Sequence, residues 1–167
     1  IERGAEFVRA CAKPAAMLVR WRNKGEYDRA IADYNEAIGL NPKYADAYNS
    51  RGTAWRVKGE YDRAIADYNE AIRLDPKDAD ACYNRANAWS DKGDLDRAIA
   101  DYSEAIRLNP KYASAYNNRG RAYQDKKDLD RAIAEYTEAI KVDPKLADAY
   151  HNRGYAYYIK KDLDRAI

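Results

Sequence analysis

The sequence has few of the residues on which catalytic and metal sites usually depend. Its 167 residues include one His, two Cys, one Met and one Phe. A histidine-based triad would have to use His151, and no Ser stands in a G-x-S-x-G motif. A phosphate-binding glycine loop, an H-E-x-x-H motif and paired C-x-x-C motifs are also missing. We therefore expect no enzyme active site, no cofactor and no metal site in this chain.

Charge and hydropathy exclude two further classes of partner. The formal net charge is only +2, and the Lys and Arg residues are spread evenly, so we expect no binding to nucleic acid or to an acidic membrane surface. The longest apolar run is far shorter than the roughly 20 residues that span a bilayer. Cys11 and Cys82 do not form a disulfide framework, which favours a reducing, cytoplasmic location. The chain begins at Ile1, so a removed leader stays an open alternative.

What the sequence does have is a repeat of 34 residues without gaps. The stretch ADAYNSRGTAWRVKGEYDRAIADYNEAIRLDPKD (45–78) aligns with residues 79–112 and again with 113–146. Residues 147–167 begin another copy, and residues 11–44 form a first copy whose opening part is irregular. Residues 1–10 are expected to cap that end. Because one unit cannot bury its apolar face alone, we expect neighbouring units to stack.

Each unit carries explicit helix boundaries. An Asp-Pro or Asn-Pro pair ends the second helix, because proline lacks an amide donor and restrains the residue before it. In mid-unit, Gly59 and Gly93 can adopt a left-handed C-cap, and the acidic residue that follows lies where an N-cap belongs. Lys127 and Lys161 replace that glycine, which predicts slightly strained turns. Each unit is therefore predicted to be two helices of about 12 to 14 residues joined by tight turns.

The repeat resembles the tetratricopeptide repeat family. The resemblance rests on the 34-residue period, a Trp/Tyr–Gly/Ala–Tyr pattern in the first helix, an Ala–Tyr–Ala pattern in the second, and Pro near the end. It covers about residues 21–167 and implies an all-α fold, a right-handed α-solenoid of antiparallel helix pairs. It also implies that the first helices line a concave groove, which in this family usually binds an extended peptide or a partner helix.

Helical periodicity then identifies the side chains that would line the groove. With Ala45, Ala79, Ala113 and Ala147 as position one of their units, positions four, eight and eleven form the packing stripe. Positions two, five, six, nine, twelve and thirteen lie on the opposite side, which no other helix is expected to need. The predicted groove residues are Asn49, Ser50, Thr53, Tyr83, Asn84, Asn87, Asp91, Asn117, Asn118, Arg121, Asp125, His151, Asn152 and Tyr155.

Position six holds an amide in three units, namely Asn84, Asn118 and Asn152. A primary amide both donates and accepts, so the resemblance implies a ladder that pairs with a peptide backbone. The alternative is that these amides only solvate the groove or contact neighbouring loops. The family's carboxylate-clamping subclass needs Lys or Arg at positions two, five and six, which this chain lacks. Its aspartates on this side instead favour a partner segment with basic residues.

Position seven holds Arg51, Arg85, Arg119 and Arg153, where the family usually has a Leu-like residue. We expect each Arg to lie over an aromatic ring and to reach a carboxylate or a helix-end carbonyl.

The function that these observations favour is a non-catalytic module that binds an extended peptide or partner segment. Two alternatives stay open: a scaffold that self-associates through the C-terminal end, and the recruiting arm of a larger enzyme. The last copy stops early, so the apolar face of Tyr150, Tyr157 and Ala166 would lack a partner helix. The sequence could therefore be an excerpt of a longer array, precede a disordered remainder, or stack on another copy.

Overall fold

A computed structural model describes residues 26–160 of the chain. Eight α-helices and no strands occur within this range. The chain divides into two compact units, residues 1–84 and 85–167, with the boundary inside the fourth helix. The helices are α1 Tyr27–Leu40, α2 Ala45–Val57, α3 Tyr61–Leu74, α4 Ala79–Lys92, α5 Leu95–Leu108, α6 Ala113–Asp125, α7 Leu129–Val142 and α8 Ala147–Ile159.

Helices that follow one another along the chain pack together within each unit. In the first unit α1 packs on α2, and α2 packs on α3. In the second unit α5 packs on α6, α6 on α7 and α7 on α8, while α6 also contacts α8. The fold is an all-α repeat of the solenoid class, as the periodicity predicts. The proposed capping segment 1–10 and residues 161–167 lie outside the described residues.

The turns between paired helices follow the predicted chemistry. Gly59 and Gly93 have φ angles of 81° and 88°, in the left-handed region that glycine adopts freely. Lys127 takes the same conformation with φ of 65°, which confirms the predicted strain at this turn. The side chains of Asp94 and Asp128 accept hydrogen bonds from the backbone N–H groups three residues later, so both are N-caps. Glu60 stands at the equivalent place before α3 but makes no such bond.

Alanine and tyrosine build the core of both units. The largest fully buried rings are Tyr34 and Tyr68 in the first unit and Tyr102 and Tyr136 in the second. A Cβ atom added to Gly120 would lie 2.7 Å from the Tyr136 ring, so glycine is what lets α6 approach α7 this closely. Gly52 has the same relation to Tyr68 at 2.8 Å. The small and large residues of the repeat therefore fit one another across each helix pair.

Arginine at position seven ties the first helix to the second helix of the same repeat in three of the four repeats. We call these three ion pairs the arginine clamps. In two of them the guanidinium also lies over the tyrosine ring one turn earlier, at 5.4 Å for Arg51–Tyr48 and 5.6 Å for Arg119–Tyr116. The expected ring and the expected carboxylate are thus both confirmed for Arg51 and Arg119, while Arg153 lies over Tyr150 at 5.7 Å and donates to Thr137 Oγ1 at 3.2 Å. The clamps are Arg51–Asp67 at 2.6 and 2.8 Å, Arg85–Asp101 at 2.7 Å, and Arg119–Glu135 at 2.8 Å.

In two clamps the arginine also donates a hydrogen bond to the second helix of the preceding repeat. Nη1 of Arg51 donates to Asn35 Oδ1 of α1 at 2.7 Å, and Nη1 of Arg119 donates to Ser103 Oγ of α5 at 2.9 Å. One guanidinium therefore joins three helices, which fixes the rotation of the first helix about its axis. That rotation decides which side chains the first helix turns away from the packing stripe.

Candidate functional site

The candidate site consists of the sides of the first helices that face away from the second helices. Each of the two compact units carries its own part of this site. The unit-1 face contains Asn49, Ser50, Thr53, Tyr83 and Asn84 from α2 and the start of α4. The unit-2 face contains residues from the end of α4, α6 and α8, namely Asn87, Asp91, Asn117, Asn118, Arg121, Asp125, His151, Asn152 and Tyr155.

On the unit-1 face the amides of successive first helices bond to each other. Asn84 Nδ2 of α4 donates to Asn49 Oδ1 of α2 at 3.0 Å. The Thr53 hydroxyl donates to the backbone carbonyl of Asn49 at 3.0 Å and accepts from the Tyr68 hydroxyl at 3.2 Å. Ser50 is only 5% exposed, and Tyr83 is partly buried. The predicted residues are thus brought together, but much of their surface is used within the unit.

On the unit-2 face four asparagines form a continuous chain of hydrogen bonds. Asn152 Nδ2 donates to Asn117 Oδ1 at 3.0 Å, and Asn117 Nδ2 donates to Asn118 Oδ1 at 3.3 Å. Asn118 Nδ2 then donates to Asn87 Oδ1 at 3.0 Å. We call this series the amide chain. Every bond in it points the same way, from α8 through α6 to α4.

The two ends of the amide chain keep hydrogen-bonding capacity. Asn87 Oδ1 accepts from both Asn118 and the Tyr102 hydroxyl, the latter at 2.7 Å, so its two lone pairs are used. The Asn87 Nδ2 group donates to no atom within residues 26–160. At the other end, Asn152 Oδ1 accepts from no donor in the same range. A partner could therefore bond to a donor at α4 and to an acceptor at α8.

The prediction that no other helix needs this side of the first helices is wrong for positions nine and twelve, where second-helix tyrosines bond to Thr53, Asn87 and Gln124, and also for positions five and six. Asn117 is only 7% exposed, since its amide lies in the seam between α6 and α8. Side chains at positions five and six bridge neighbouring first helices, because α6 and α8 lie close enough for amide groups to meet directly. The structure places Asn118 half-buried within the amide chain, and its contact with a partner stays a prediction.

Core tyrosines supply a second layer of polar groups beneath these faces. The hydroxyls of Tyr68, Tyr102 and Tyr136 cross from the second helices to Thr53, Asn87 and Gln124 of the first helices. Burial raises the pKa of Tyr68 to about 12, and burial raises the pKa of Tyr136 as well. Tyr68 and Tyr136 therefore stay protonated at neutral pH and remain donors toward the first helices. Tyrosine suits these positions because its ring packs in the core while its hydroxyl donates a hydrogen bond.

The remaining predicted residues of the unit-2 face are exposed to solvent. Asp91, Arg121, Asp125, His151 and Tyr155 all belong to this group. Tyr158 and Ile159 of α8, which hold the predicted groove positions twelve and thirteen, are also exposed on the same side. The exposed part of the face thus combines carboxylates, one guanidinium and aromatic rings.

Residues 26–160 contain no group of three or more His, Cys, Asp or Glu side chains arranged to hold a metal ion. Within the same range, every helix is too short or too polar to cross a bilayer.

Comparison with known proteins identifies the fold family. A tetratricopeptide repeat model matches residues 22–79, and a TPR repeat model matches residues 90–127 and 120–160. A search of curated protein sequences found no significant match.

Solved structures give the same result. The crystal structure of MamA is 30% identical with a TM-score of 0.79, and the match covers 88% of this chain and 86% of that one. The first TPR domain of Spaghetti (RPAP3), bound to the HSP90 peptide SRMEEVD, is 26% identical with a TM-score of 0.67, covering 70% and 93% of the two chains. YrrB, a TPR protein with an unusual peptide-binding site, shares the fold at 24% identity and a TM-score of 0.69, and the match covers 94% of this chain and 81% of that one.

Proposed function

Because the chain belongs to the tetratricopeptide repeat family, we propose that it is a non-catalytic module that binds an extended peptide or partner segment on the outer faces of its first helices. Family membership supports a protein–protein interaction module in general. The RPAP3 domain holds a peptide, which supports this mode of binding for the fold.

The amide chain is the observation that carries the proposal. An extended peptide presents alternating N–H and C=O groups, and the unit-2 face offers a donor at Asn87 and an acceptor at Asn152. The amides between them are held in place by their own hydrogen bonds, so a ligand meets groups that are already oriented. A rigid array of this kind binds a backbone with little loss of side-chain entropy.

The ligand is expected to differ in charge from the peptide in the RPAP3 complex. That peptide, SRMEEVD, contains three acidic residues. The unit-2 face presents Asp91 and Asp125, both exposed, and Asp148 of α8 lies exposed at position two. Carboxylates on the face disfavour an acidic segment and favour one that carries Lys or Arg.

The experiment is to screen a library of capped decapeptides by fluorescence anisotropy and to repeat the strongest binders with variants. Asn87→Asp keeps the oxygen that accepts from Tyr102 and Asn118 but removes the N–H donors. Measured at about 0.5 M salt, where added charge is screened, it is expected to weaken binding about fivefold or more. Asn152→Ala is expected to act in the same direction.

Glu138→Ala on α7 is the matched control, since it alters a surface side chain on a second helix. The proposal is overturned if no capped peptide binds the unmodified chain. It is also overturned if Asn87→Asp and Asn152→Ala bind like the Glu138→Ala control while retaining normal thermal unfolding.

A further inference from the structure

The unit-2 face ends in an apolar patch on α8. Tyr155 and Tyr158 are 51% and 60% exposed, and Ile159 is 36% exposed. Their spacing of i, i+3 and i+4 places them on one side of the helix. We call these three residues the α8 patch. Within residues 26–160 the other exposed large apolar side chains are Leu40, Val57 and Tyr150, so the α8 patch holds half of the exposed set.

The α8 patch occupies positions nine, twelve and thirteen of its repeat. Position thirteen faces solvent even beside a second helix, since Asp91 and Asp125 are exposed. At positions nine and twelve the other repeats differ: Arg121 is exposed, whereas Thr53, Asn87 and Gln124 are half-buried and accept hydrogen bonds from second-helix tyrosines. In α8 all three positions hold aromatic or aliphatic side chains, and all three are exposed.

Six aromatic rings outside the α8 patch carry a stacked cation. Within residues 26–160 no Arg or Lys stacks on Tyr155 or Tyr158. The rings that do carry a cation are Tyr48, Trp55, Trp89, Tyr116, Tyr123 and Tyr150, with cation-to-centroid distances between 4.4 and 5.7 Å for their arginines. The two tyrosines of the α8 patch therefore keep their ring surfaces for another group.

Carboxylates stand beside the α8 patch. The bond between Asn152 and Asn117 holds α8 and α6 side by side with position six next to position five. The same 35-residue offset sets Asp125 of α6 level with residue 160, so Tyr158 of α8 lies about half a helical turn before that level. Asp91, Asp125 and Asp148 are exposed on this face, against the single exposed guanidinium of Arg121. The face is therefore net acidic next to an apolar surface.

We propose that the unit-2 face selects an extended segment in which an aliphatic or aromatic side chain packs on the α8 patch and a nearby Lys or Arg pairs with Asp125. The inference rests on the proposed function and adds the class of ligand to it. The apolar side chain fills the surface that the framework leaves uncovered, and the cation offsets the unpaired carboxylate. Arg121 remains available for a backbone carbonyl of the same segment.

The test uses the capped decapeptides of the library with single replacements. Binders are expected to combine an apolar residue with Lys or Arg within about two positions, the reach of neighbouring side chains on an extended strand. Tyr158→Ala and Asp125→Asn should each weaken binding about five- to tenfold, as for the central contacts of a small interface. Tyr158→Ala should remove the preference for the apolar residue, and Asp125→Asn the preference for the basic one.

Charge reversal gives a gain of function that misfolding cannot imitate. Asp125→Lys is expected to shift the preference from a basic residue to Glu or Asp at that peptide position. Two controls match the loss variants: Glu138→Gln removes one negative charge from α7, and Leu40→Ala removes an exposed apolar side chain from α1. Both should bind like the unmodified chain.

The outcomes separate this inference from the proposed function. Peptide binding that depends on Asn87 and Asn152 but shows no apolar or basic preference overturns the inference and leaves the proposed function. Preference for acidic peptides also overturns it. If no peptide binds and light scattering shows a dimer that Tyr158→Ala dissolves, a second copy covers the α8 patch, and both proposals are wrong.

Discussion

The two sides of the first helices differ in how similar their residues are from one repeat to the next. On the side that faces the second helices, glycine packs against a tyrosine ring in the repeats of Gly52 and Gly120. On the same side an arginine pairs with a carboxylate in the repeats of Arg51, Arg85 and Arg119. On the outer side, position nine is Thr53, Asn87, Arg121 and then Tyr155. The inner side sets where every outer side chain points, so the outer side can change its chemistry without changing its geometry.

The two sides also differ in whether their polar groups are bonded within the protein or exposed to solvent. The clamp guanidiniums are bonded at more than one nitrogen, and the hydroxyls of Tyr68, Tyr102 and Tyr136 have acceptors on the first helices. Exposed groups such as Arg121 and Asp125 lie on the outer side of α6, four residues apart. Stability is therefore expected to depend on the inner side and recognition on the outer side. The variants below test that division, beginning with the largest effect.

Tyr136→Ala should have the largest effect on stability. The ring is fully buried against Gly120, so its removal leaves a cavity between α6 and α7. The expected loss is about 3–5 kcal/mol in the free energy of unfolding, measured by urea denaturation. Tyr158→Ala removes an equal side chain from the outer side and should cost less than about 0.5 kcal/mol. Equal losses for the two variants would contradict the division.

Asp67→Ala tests a clamp from the inner side of the first unit. The carboxylate is nearly buried and raises the pKa of Arg51 through their hydrogen bonds. Its loss leaves a partly buried guanidinium without its main acceptor, at an expected cost of about 2 kcal/mol. The double change Arg51→Met with Asp67→Leu should recover most of this in urea denaturation, because no unpaired charge remains.

The exposed pair Glu70–Arg73 on the same α3 helix provides the control. Glu70→Ala should leave the urea midpoint unchanged, since solvent screens that pair. A clamp variant that behaves like Glu70→Ala would show that the clamps do not hold the first helices.

Lys127→Gly should change stability less than Tyr136→Ala and Asp67→Ala do, and in the opposite direction. The lysine backbone has a φ of 65°, a conformation that costs a residue with a Cβ about 1 kcal/mol. Glycine removes that cost, so the thermal midpoint should rise. Gly93→Ala at the equivalent turn, with φ of 88°, should lower it by a comparable amount. A fall in the midpoint for Lys127→Gly would show that its side chain stabilises the turn.

Sequence periodicity predicted the inner side of the fold well, because packing repeats with the chain. The helix positions and the left-handed turns at Gly59 and Lys127 follow from local spacing. For the clamp arginines the sequence predicted only a carboxylate or a helix-end carbonyl, and it did not identify Asp67, which lies 16 residues from Arg51. The amide chain was not predictable in this form. Whether Asn152 meets Asn117 or a ligand depends on the distance between first helices 35 residues apart, which no local pattern encodes.

The central claim is that the outer face of the second unit binds a partner segment. Titrating the tightest-binding capped decapeptide into isotope-labelled protein and following backbone amide chemical shifts tests it most directly. The account predicts that the largest shifts lie in α6 and α8 and around Asn87, with α5 and α7 nearly unchanged. Shifts concentrated in α5 and α7 would place the binding surface on the second helices and contradict the account.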